Sequence, residues 1–270
     1  MFDFKKKYFY LIKLYKITDQ NSAEKFPTSK LISESIDELK SLIEIPPTDF
    51  ELNYSKKYKS LKTFETALSK SEVIYSYVGF DTEKTKCYFT VDNSMLNYTN
   101  KPKNSTIELY MQFDEKYFNN NAIKICQSLI NNFGFEYGFI HRFPKNIDGD
   151  TEKKIKRGLF SSGIEITEND LIWQFHSIGI NHGYIKKLYN YNFLNKSQFE
   201  NSMIKEQLEK YGKNEFISPN MLLWKISDEE LKKLINVTSI KKNTIDAPVE
   251  ENIFLKDDKA KIFYDLMRIK

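Results

Sequence analysis

Residues 107–143 carry a strand-helix-strand pattern, which limits the folds that this chain can adopt. Apolar side chains alternate with polar ones from Ile107 to Phe113, which is the period-two pattern of a strand with one buried face. Apolar residues then recur at helical spacing from 116 to 132, and Phe133-Gly134 supplies a helix stop. A second apolar run, from Phe135 to Phe143, predicts another strand. The pattern therefore predicts a sheet that is covered by a helix on at least one face.

Shorter patterns predict further elements on both sides of this unit. Strands are predicted at 8–12, at 73–77 and 86–91 as a hairpin, and at 221–226. Helices are predicted at 32–43, where Thr28 or Ser29 is the cap and Pro46-Pro47 is the stop, and at 58–68. A third helix is predicted from an Asn195–Gln198 capping pair to Tyr211. A fourth is predicted after a Ser227–Glu230 capping pair, with Leu234 and Ile235 on its buried face. Segments 171–175 and 177–185 are expected to be extended or loop-like.

These elements predict an α+β fold, with helices packed on a mixed or antiparallel sheet. Two pseudo-related halves that share the sheet are also compatible with the pattern. The chain has 270 residues, which is enough to bury one large core, so a single globular domain over 1–270 is predicted. A sub-domain boundary, if one exists, is predicted in an exposed loop at 144–158, which carries an acidic turn at Asp148-Gly149-Asp150 and a basic run at 153–157.

Charge and cysteine content exclude several classes of function. The formal charge is +4, from 41 basic and 37 acidic residues, and the basic residues form no aromatic-interleaved stripe, so no nucleic-acid partner is predicted. Cys87 and Cys126 lack disulfide-framework or zinc-site spacing, which favours a reducing, cytoplasmic location. The apolar segment 8–12 is short and is followed by Lys13, so neither a signal peptide nor a membrane span is predicted.

The sequence contains no recognisable catalytic constellation. It has no nucleophile-elbow, Walker or Rossmann glycine pattern. His176 and His182 lie six residues apart, which is not the spacing of a helical zinc motif. We therefore predict no catalytic, cofactor-binding or metal-binding residues and no cofactor. The competing hypothesis is an enzyme of a motif-poor family, with a site near His176, His182 and the carboxylates of 165–170.

Two further groups are given structural interpretations. Trp224 lies inside an apolar strand, which predicts a core position, although an exposed binding anchor is the alternative. The acidic run Asp228-Glu229-Glu230 falls in the first turn of a predicted helix. Acidic residues there stabilise the helix dipole by about 0.3–1 kcal/mol each, so acid–base chemistry need not be invoked.

The C-terminal half resembles a known family. Four consecutive features are similar to the C-terminal part of the type VI-type immunity family of bacterial polymorphic toxin systems. They are the run Leu188-Tyr189-Asn190-Tyr191-Asn192-Phe193-Leu194, a capped helix, the Trp-centred strand 222–226 and a second helix. The 107–143 unit, with its Tyr137-Gly138, is similar in layout. The resemblance implies a non-enzymatic immunity protein that binds and neutralises a cognate toxin from a neighbouring gene. The protein would be a monomer or homodimer, and its interface would use a few buried aromatic or Arg anchors.

Two questions about the partner stay open. A structural or adaptor protein of a phage or secretion apparatus is a third hypothesis, which self-assembly in solution would favour. The slightly basic net charge argues against a strongly basic nuclease as the toxin, because inhibitors of such nucleases gain association rate from acidic surfaces. A local acidic patch, for instance around Glu165, Glu168 and Asp170, would undo that argument.

Overall fold

The protein was analysed as a computed structural model that describes residues 7–81, 87–97, 104–149, 151–157, 162–164 and 177–246. The strands of the described part are β1 (Tyr8–Thr18), β2 (Pro47–Leu52), β3 (Lys56–Tyr58), β4 (Tyr75–Phe80), β5 (Cys87–Asn93), β6 (Ser105–Asp114), β7 (Tyr137–Pro144), β8 (Ile147–Asp148), β9 (Lys153–Lys154), β10 (Lys156–Arg157), β11 (Ser162–Gly163), β12 (Tyr191–Asn195), β13 (Lys213–Ser218) and β14 (Met221–Lys225). The helices are α1 (Gln20–Lys25), α2 (Thr28–Ile43), α3 (Leu61–Leu68), α4 (Ser94–Asn97), α5 (Asn120–Phe133), α6 (Lys196–Phe199), α7 (Ser202–Leu208), α8 (Asp228–Leu234) and α9 (Thr238–Lys241), with 3-10 turns at Glu115–Tyr117 and Ser177–His182.

One ten-stranded sheet organises the molecule, in the order β13-β14-β12-β7-β1-β6-β5-β4-β2-β3. Every neighbouring pair in it is antiparallel. The ribbons β8–β9 and β10–β11 are separate. The predicted α+β class, with helices packed on an antiparallel sheet, is confirmed. Strands from both sides of the 144–158 segment lie in the same sheet.

The two faces of the sheet are covered differently. One face, here called the helix face, packs against α2, α3 and α5 through a core that includes Phe50, Phe64, Phe89, Leu109 and Leu129. The opposite, second face is covered around β1, β7, β12 and β14 by the segments 177–190, 196–211 and 226–240, here called the C-terminal layer. Because successive side chains along a strand point to opposite sides of the sheet, alternate residues of each strand lie on the helix face and on the second face.

Local signals explain several element boundaries. Gly134 has φ +66° and its N–H bonds to the carbonyl of Ile130, so the predicted stop of α5 is confirmed. Both predicted capping boxes, at Asn195 and at Ser227, are present with reciprocal hydrogen bonds. The predicted cap of α2 is wrong: Pro27 is the N-cap residue without a side-chain bond, and the Ser29 hydroxyl donates instead to the carbonyl of Leu68.

Four predicted segments differ from the structure. The helix predicted over 58–68 begins only at Leu61, because 47–58 forms the hairpin β2–β3. The segment 177–185 contains a 3-10 turn, whereas 171–175 lies outside the described residues. The single helix predicted after Asn195 is two short helices followed by β13. Ile235, predicted to be buried, is the C-cap residue of α8 and is 48% exposed.

The segment predicted to be an exposed loop is anchored to the interior. It contains the ribbon β8–β9, and the side chain of Glu152 is only 2% exposed. Glu152 takes a left-handed backbone conformation with φ +58°, which is uncommon outside glycine, asparagine and aspartate. The carboxylate thereby reaches the space between the sheet and the C-terminal layer.

A glycine in β7 allows close contact with the central strand β1. Gly138 pairs with Leu14, and a Cβ at Gly138 would lie 2.5 Å from Leu14 Cδ2 and 2.7 Å from the carbonyl oxygen of Lys13. We expect Gly138→Ala to lower the free energy of unfolding by about 1–3 kcal/mol, because overpacking forces neighbouring atoms to shift. Urea denaturation measures this change. The control is Gly163→Ala, where no atom of the described residues lies within 4 Å, and an equal loss in the two variants would contradict the expectation.

Candidate protein-binding surface

On strands β4, β5 and β6, the second face of the sheet carries tyrosines. On β4, β5 and β6, the residues Val78, Phe89 and Leu109 point into the core of the helix face. Their neighbours along each strand therefore point the other way. These neighbours, together with Tyr54 from the β2–β3 turn and Lys13 from β1, line a cleft of about 470 Å³, here called the tyrosine cleft. Its lining residues are Lys13, Tyr54, Tyr75, Tyr77, Tyr88, Thr90, Asp92, Glu108 and Tyr110.

The tyrosine rings contact one another across the strands. Tyr77 and Tyr88 have ring centroids 5.3 Å apart, and Tyr88 and Tyr110 are stacked at 5.3 Å. The hydroxyls of Tyr88 and Tyr110 lie 3.0 Å apart, and Tyr110 donates to Gln112 Oε1 at 2.7 Å. These contacts fix the ring planes, so the cleft presents an ordered aromatic wall with polar edges.

Tyr54 is held in the cleft by an unusual turn. Asn53 and Tyr54 have φ values of 51° and 63°, and the N–H of Ser55 bonds to the carbonyl of Leu52. These are features of a type I′ hairpin turn, in which glycine is favoured at the position occupied by Tyr54. The Tyr54 ring stacks on Tyr75 at 4.2 Å, and its hydroxyl donates to Asp92 Oδ2 at 3.0 Å. The backbone thus adopts a costly conformation that places a tyrosine over the cleft.

The position of Tyr54 depends on Asn53. The Asn53 side chain donates to the carbonyl of Glu72, and its Oδ1 accepts from the backbone N–H groups of Ile74 and Tyr75. These bonds tie the β2–β3 turn to the start of β4. A short edge hairpin is therefore fixed against the sheet, in the register that brings Tyr54 over Tyr75.

Acidic side chains share this face. Asp92 of β5 lies directly opposite Glu108 of β6, and Asp49 and Glu51 lie nearby on β2. Burial raises the pKa of Glu108; Lys13 opposes that rise, and Asp92 adds to it. Burial likewise raises the pKa of Tyr77, and Asp49 and Glu51 add to the effect. The lining of the cleft therefore contains the carboxyl groups of Asp92 and Glu108 together with the ammonium group of Lys13.

A buried ion cluster lies beside the cleft. Lys186 Nζ donates to Glu152 Oε1 at 2.5 Å, Lys13 Nζ lies 3.8 Å from the same oxygen, and the Tyr189 hydroxyl donates to Oε2 at 2.7 Å. Burial alone would raise the pKa of Glu152, but Lys186, Lys13 and Lys187 lower it to about 2. The cluster joins the β8–β9 ribbon to β1 and to the C-terminal layer. We assign it a structural role.

Of the residues considered for catalysis, His182 is the one that lies within the described part of the chain. His176 and the carboxylates of 165–170 lie outside the described residues, so the enzyme hypothesis at that place is untested. His182 ends a 3-10 turn, and burial lowers its pKa. His141 lies in β7, edge-on to Phe143 at 4.6 Å, and burial lowers its pKa as well. No group of three or more His, Cys, Asp or Glu side chains suited to a metal ion occurs among the described residues.

Other residues with a structural interpretation are in place. Trp224 is 0% exposed, and its indole N–H donates to the carbonyl of Tyr211 at 2.8 Å, which confirms the predicted core position. Glu230 accepts from the backbone N–H of Ser227 and closes the capping box. Cys87 and Cys126 are buried free thiols, and burial raises the pKa of Cys126.

The cleft has the chemistry of a protein-recognition surface. Tyrosines supply large contact area with few rotatable bonds, and they are enriched among the residues that dominate binding energy in interfaces. Sequence patterns did not identify this surface. Its residues are the outward positions of strands that were mostly predicted, but only the strand register shows that they are neighbours.

Of the comparisons with known proteins, the one with solved structures found a similar fold. No protein-family model matches the chain, and no curated protein matches its sequence. Among solved structures, the chain is similar to "Pseudomonas aeruginosa T6SS protein PA0821", with a TM-score of 0.57 and 10% sequence identity. The similarity covers 96% of this chain and 85% of that chain. In addition, none of the described helices is long and apolar enough to cross a membrane.

Proposed function

We propose that the protein is a non-enzymatic immunity protein of a type VI secretion toxin system, which binds a cognate toxin from a neighbouring gene and blocks it. The observation that carries this proposal is the likeness of fold, over almost the whole chain, to a solved structure named as a T6SS protein. The resemblance of the C-terminal half to type VI-type immunity proteins points in the same direction.

The tyrosine cleft is the surface through which we propose that the protein binds its toxin. An interface of standard size buries about 1,600 Å² in total, and a few well-packed aromatic anchors supply most of its energy. Tyr77 and Tyr88 are half-buried in the lining, with their ring planes fixed by neighbours. Preorganised rings lose little entropy on binding, which favours tight association.

The carboxyl groups in the cleft change the expectation about the target. Net charge argued against a strongly basic toxin, but association depends on the charge of the surface that meets the partner. Asp92 and Glu108 lie in the cleft itself, on strands β5 and β6 rather than in the 165–170 segment. A basic toxin surface therefore fits this proposal.

The function is tested by capturing the partner and measuring toxicity. The tagged full-length protein is purified from cells that carry its native gene neighbourhood, and each captured neighbour is expressed with and without it. We expect one neighbour to stop growth alone and to be harmless when the protein is co-expressed. If none of the captured neighbours is toxic, the immunity function is wrong.

The tyrosine cleft is tested by variants of the same protein. We expect Tyr77→Ala and Tyr88→Ala each to weaken toxin binding at least tenfold, because each removes an anchor ring. Isothermal titration against the purified toxin gives the dissociation constants. Tyr117→Ala is the matched control, since Tyr117 is also partly buried but packs against the core of the helix face. Equal losses in all three variants would place the interface elsewhere.

A second candidate function is an adaptor or structural component of a secretion apparatus. The similar solved structure is named as a T6SS protein, and that name specifies no inhibitor, which is the observation that favours this candidate. Light scattering with size-exclusion chromatography separates the two. Concentration-dependent growth into large assemblies would favour the apparatus component, whereas a monomer or dimer that binds a toxic neighbour would favour the immunity protein.

A further inference from the structure

We propose that the protein forms a homodimer in which the edge strand β13 of one copy pairs, antiparallel, with β13 of a second copy. In this dimer Lys213 of each copy faces Glu215 of the other, about a two-fold axis at Asn214. The inference goes beyond the proposed function and does not depend on it, because the tyrosine cleft lies elsewhere. Three strands, β14, β12 and β7, separate β13 from β1, the nearest strand that lines the cleft.

The first observation concerns the two edges of the ten-stranded sheet, which are β3 and β13 among the described strands. An edge strand presents a row of backbone N–H and C=O groups with which a further strand can pair. β3 has three residues, and its lysines Lys56 and Lys57 are exposed, which protects an edge against such pairing. β13 has six residues, and the side chains of 213–216 are all exposed. Of the two edges, β13 is therefore the one suited to accept a strand.

The second observation is a lysine on β13 that lacks an opposite charge. Lys213 lies directly opposite Lys225 in the β13–β14 register, and like charges at such positions destabilise a strand pair. The ammonium group of Lys225 is compensated, because it lies 2.8 Å from Glu215. Within the described part of the chain, the side chain of Lys213 has neither an ion pair nor a hydrogen bond. A carboxylate supplied by a second chain would therefore stabilise this edge.

The third observation is that Glu215 can accept a second lysine. Its side chain is 52% exposed, its Oε2 accepts from Lys225, and its Oε1 accepts from Gln127 at 3.5 Å. A carboxylate offers about four acceptor positions, so these two contacts leave room for another donor. Lys213 and Glu215 are two residues apart on one strand and so lie on the same face of the sheet. One strand thus carries both members of an ion pair, as a self-complementary two-fold interface requires.

These charges select one register of the strand pair. Opposite residues of an antiparallel pair lie on the same face, so a two-fold axis passes through a residue rather than between two. With the axis at Asn214, Lys213 faces Glu215 of the other copy twice. With the axis at Glu215, two carboxylates would face each other. An axis at Phe216 would need a regular strand beyond that residue, but the β13–β14 register shifts between Phe216 and Ser218.

The same register covers an exposed aromatic ring. Phe216 is 65% exposed, the largest value among the large apolar side chains of the described residues, and its ring meets that of Phe199 edge-on at 5.5 Å. With the axis at Asn214, Phe216 comes opposite Gly212 of the second copy, which has no side chain to collide with the ring. The dimer therefore removes apolar surface from water in addition to pairing charges.

Exchanging the charges tests the interface. Sedimentation equilibrium of the full-length protein is expected to show monomers and dimers. Lys213→Glu and Glu215→Lys each place like charges opposite each other twice, so we expect each to weaken the dimer about tenfold or more. When mixed, the two variants present opposite charges to each other at both positions, and we expect the mixture to dimerise within about threefold of the wild type. Lys56→Glu on β3 is the matched control and should leave the dimer unchanged.

Cysteine cross-linking locates the axis. Directly opposite Cα atoms of an antiparallel pair lie about 4.5–5.5 Å apart, which is within the range that a disulfide spans. Under mild oxidation we expect Asn214→Cys to form an intermolecular disulfide about tenfold faster than Glu215→Cys or Phe216→Cys. The native thiols of Cys87 and Cys126 are buried, so the wild type gives the background rate. A fastest reaction at position 215 or 216 would overturn the pairing of Lys213 with Glu215.

The outcomes also separate this inference from the proposed function. A wild type that stays monomeric at its highest soluble concentration, or a mixture of the two charge variants that stays monomeric, overturns the dimer. If the wild type is monomeric and Lys213→Glu weakens binding of the captured toxin, β13 receives a strand of the partner and the dimer is wrong. Suppression of toxicity by a monomeric protein leaves the immunity function standing. A dimer without any toxic neighbour leaves the dimer standing and overturns the immunity function.

Discussion

Replacing Glu152 with alanine is expected to lower the free energy of unfolding by about 3–5 kcal/mol, because it removes one partner from a buried ion cluster. The Glu152 side chain is 2% exposed, and it faces the ammonium groups of Lys186 and Lys13, whose side chains are 7% and 6% exposed. Without the carboxylate both ammonium groups lose a buried partner of opposite charge. Lys187 is affected less, because it also pairs with Asp246 at 2.7 Å.

Chemical denaturation of the wild type and of Glu152→Ala measures this loss. The matched control is Glu206→Ala, which breaks a Glu–Lys pair whose side chains are both 56% exposed. An exposed pair contributes at most about 1 kcal/mol, so the control should be nearly neutral. A Glu152→Ala variant as stable as the control would show that the cluster does not hold the β8–β9 ribbon in place.

The same cluster predicts a dependence of stability on pH. The lysines hold the pKa of Glu152 at about 2 in the folded protein, whereas an unfolded glutamate titrates near about 4.3. A pKa that is depressed by folding gives stability that is complete above the unfolded value and is lost as pH falls towards the folded one. We therefore expect Glu152→Gln to flatten the fall in stability between about pH 5 and pH 2. An unchanged slope in that variant would contradict the assignment.

Replacing Trp224 with alanine is expected to cost about 3–5 kcal/mol, because it opens a large cavity beneath the C-terminal layer. Trp224 is 0% exposed, and its indole N–H donates to the carbonyl of Tyr211. The adjacent Gly212, with φ +74°, allows the backbone to pass over the ring, since a Cβ there would lie 2.7 Å from the indole nitrogen. Backbone and indole are therefore closely fitted.

A graded substitution separates the cavity from the hydrogen bond. Trp224→Phe keeps much of the ring volume but leaves the Tyr211 carbonyl without its donor, so a smaller loss of about 1–3 kcal/mol is expected. Far-ultraviolet circular dichroism in urea gives both values without relying on the removed fluorophore. If the phenylalanine variant were as unstable as the alanine variant, the hydrogen bond rather than the volume would dominate.

The main elements were predictable where two independent signals agreed. For α5, helical spacing of apolar residues and Gly134 pointed to the same boundary, and the structure confirms it. The capping boxes at Asn195 and Ser227 likewise combined a cap residue with its partner three residues on. Side-chain chemistry close in sequence determines these features, so no knowledge of the tertiary structure was needed.

Two of the missed strands, β3 and β13, share a physical cause. They are the two edge strands of the sheet, where polar side chains are tolerated because one side of the strand faces solvent, and β2 lies next to β3. β13 in particular has exposed side chains from Lys213 to Phe216. Edge strands therefore lack the apolar alternation from which strands were predicted, and only pairing with a neighbour identifies them.

The tyrosine cleft was not predictable for a related reason. Tyr77, Tyr88 and Tyr110 are far apart in sequence, and each could have been a core residue. Their common face follows from the registers of β4 with β5 and β5 with β6, which place Thr90 opposite both Tyr77 and Tyr110. Tyr54 depended on a turn whose residues do not match the usual Asn-Gly preference. Which residues lie opposite each other on neighbouring strands is decided when the sheet folds, so it cannot be obtained from the spacing of residues along the chain.

The central place of β1 has a consequence for synthesis of the chain. β1 pairs on one side with β6 and on the other with β7, so both of its partners are long-range in sequence. At a translation rate of about 5–20 residues per second, the aromatic-rich first strand waits roughly 6–26 s before β7 has been synthesised. Folding of the sheet is then limited by long-range pairing, which is slow and leaves unpaired strand edges exposed. A chaperone that holds the nascent chain would act during this interval, and we expect its removal to reduce yield more than it changes the stability of the finished protein.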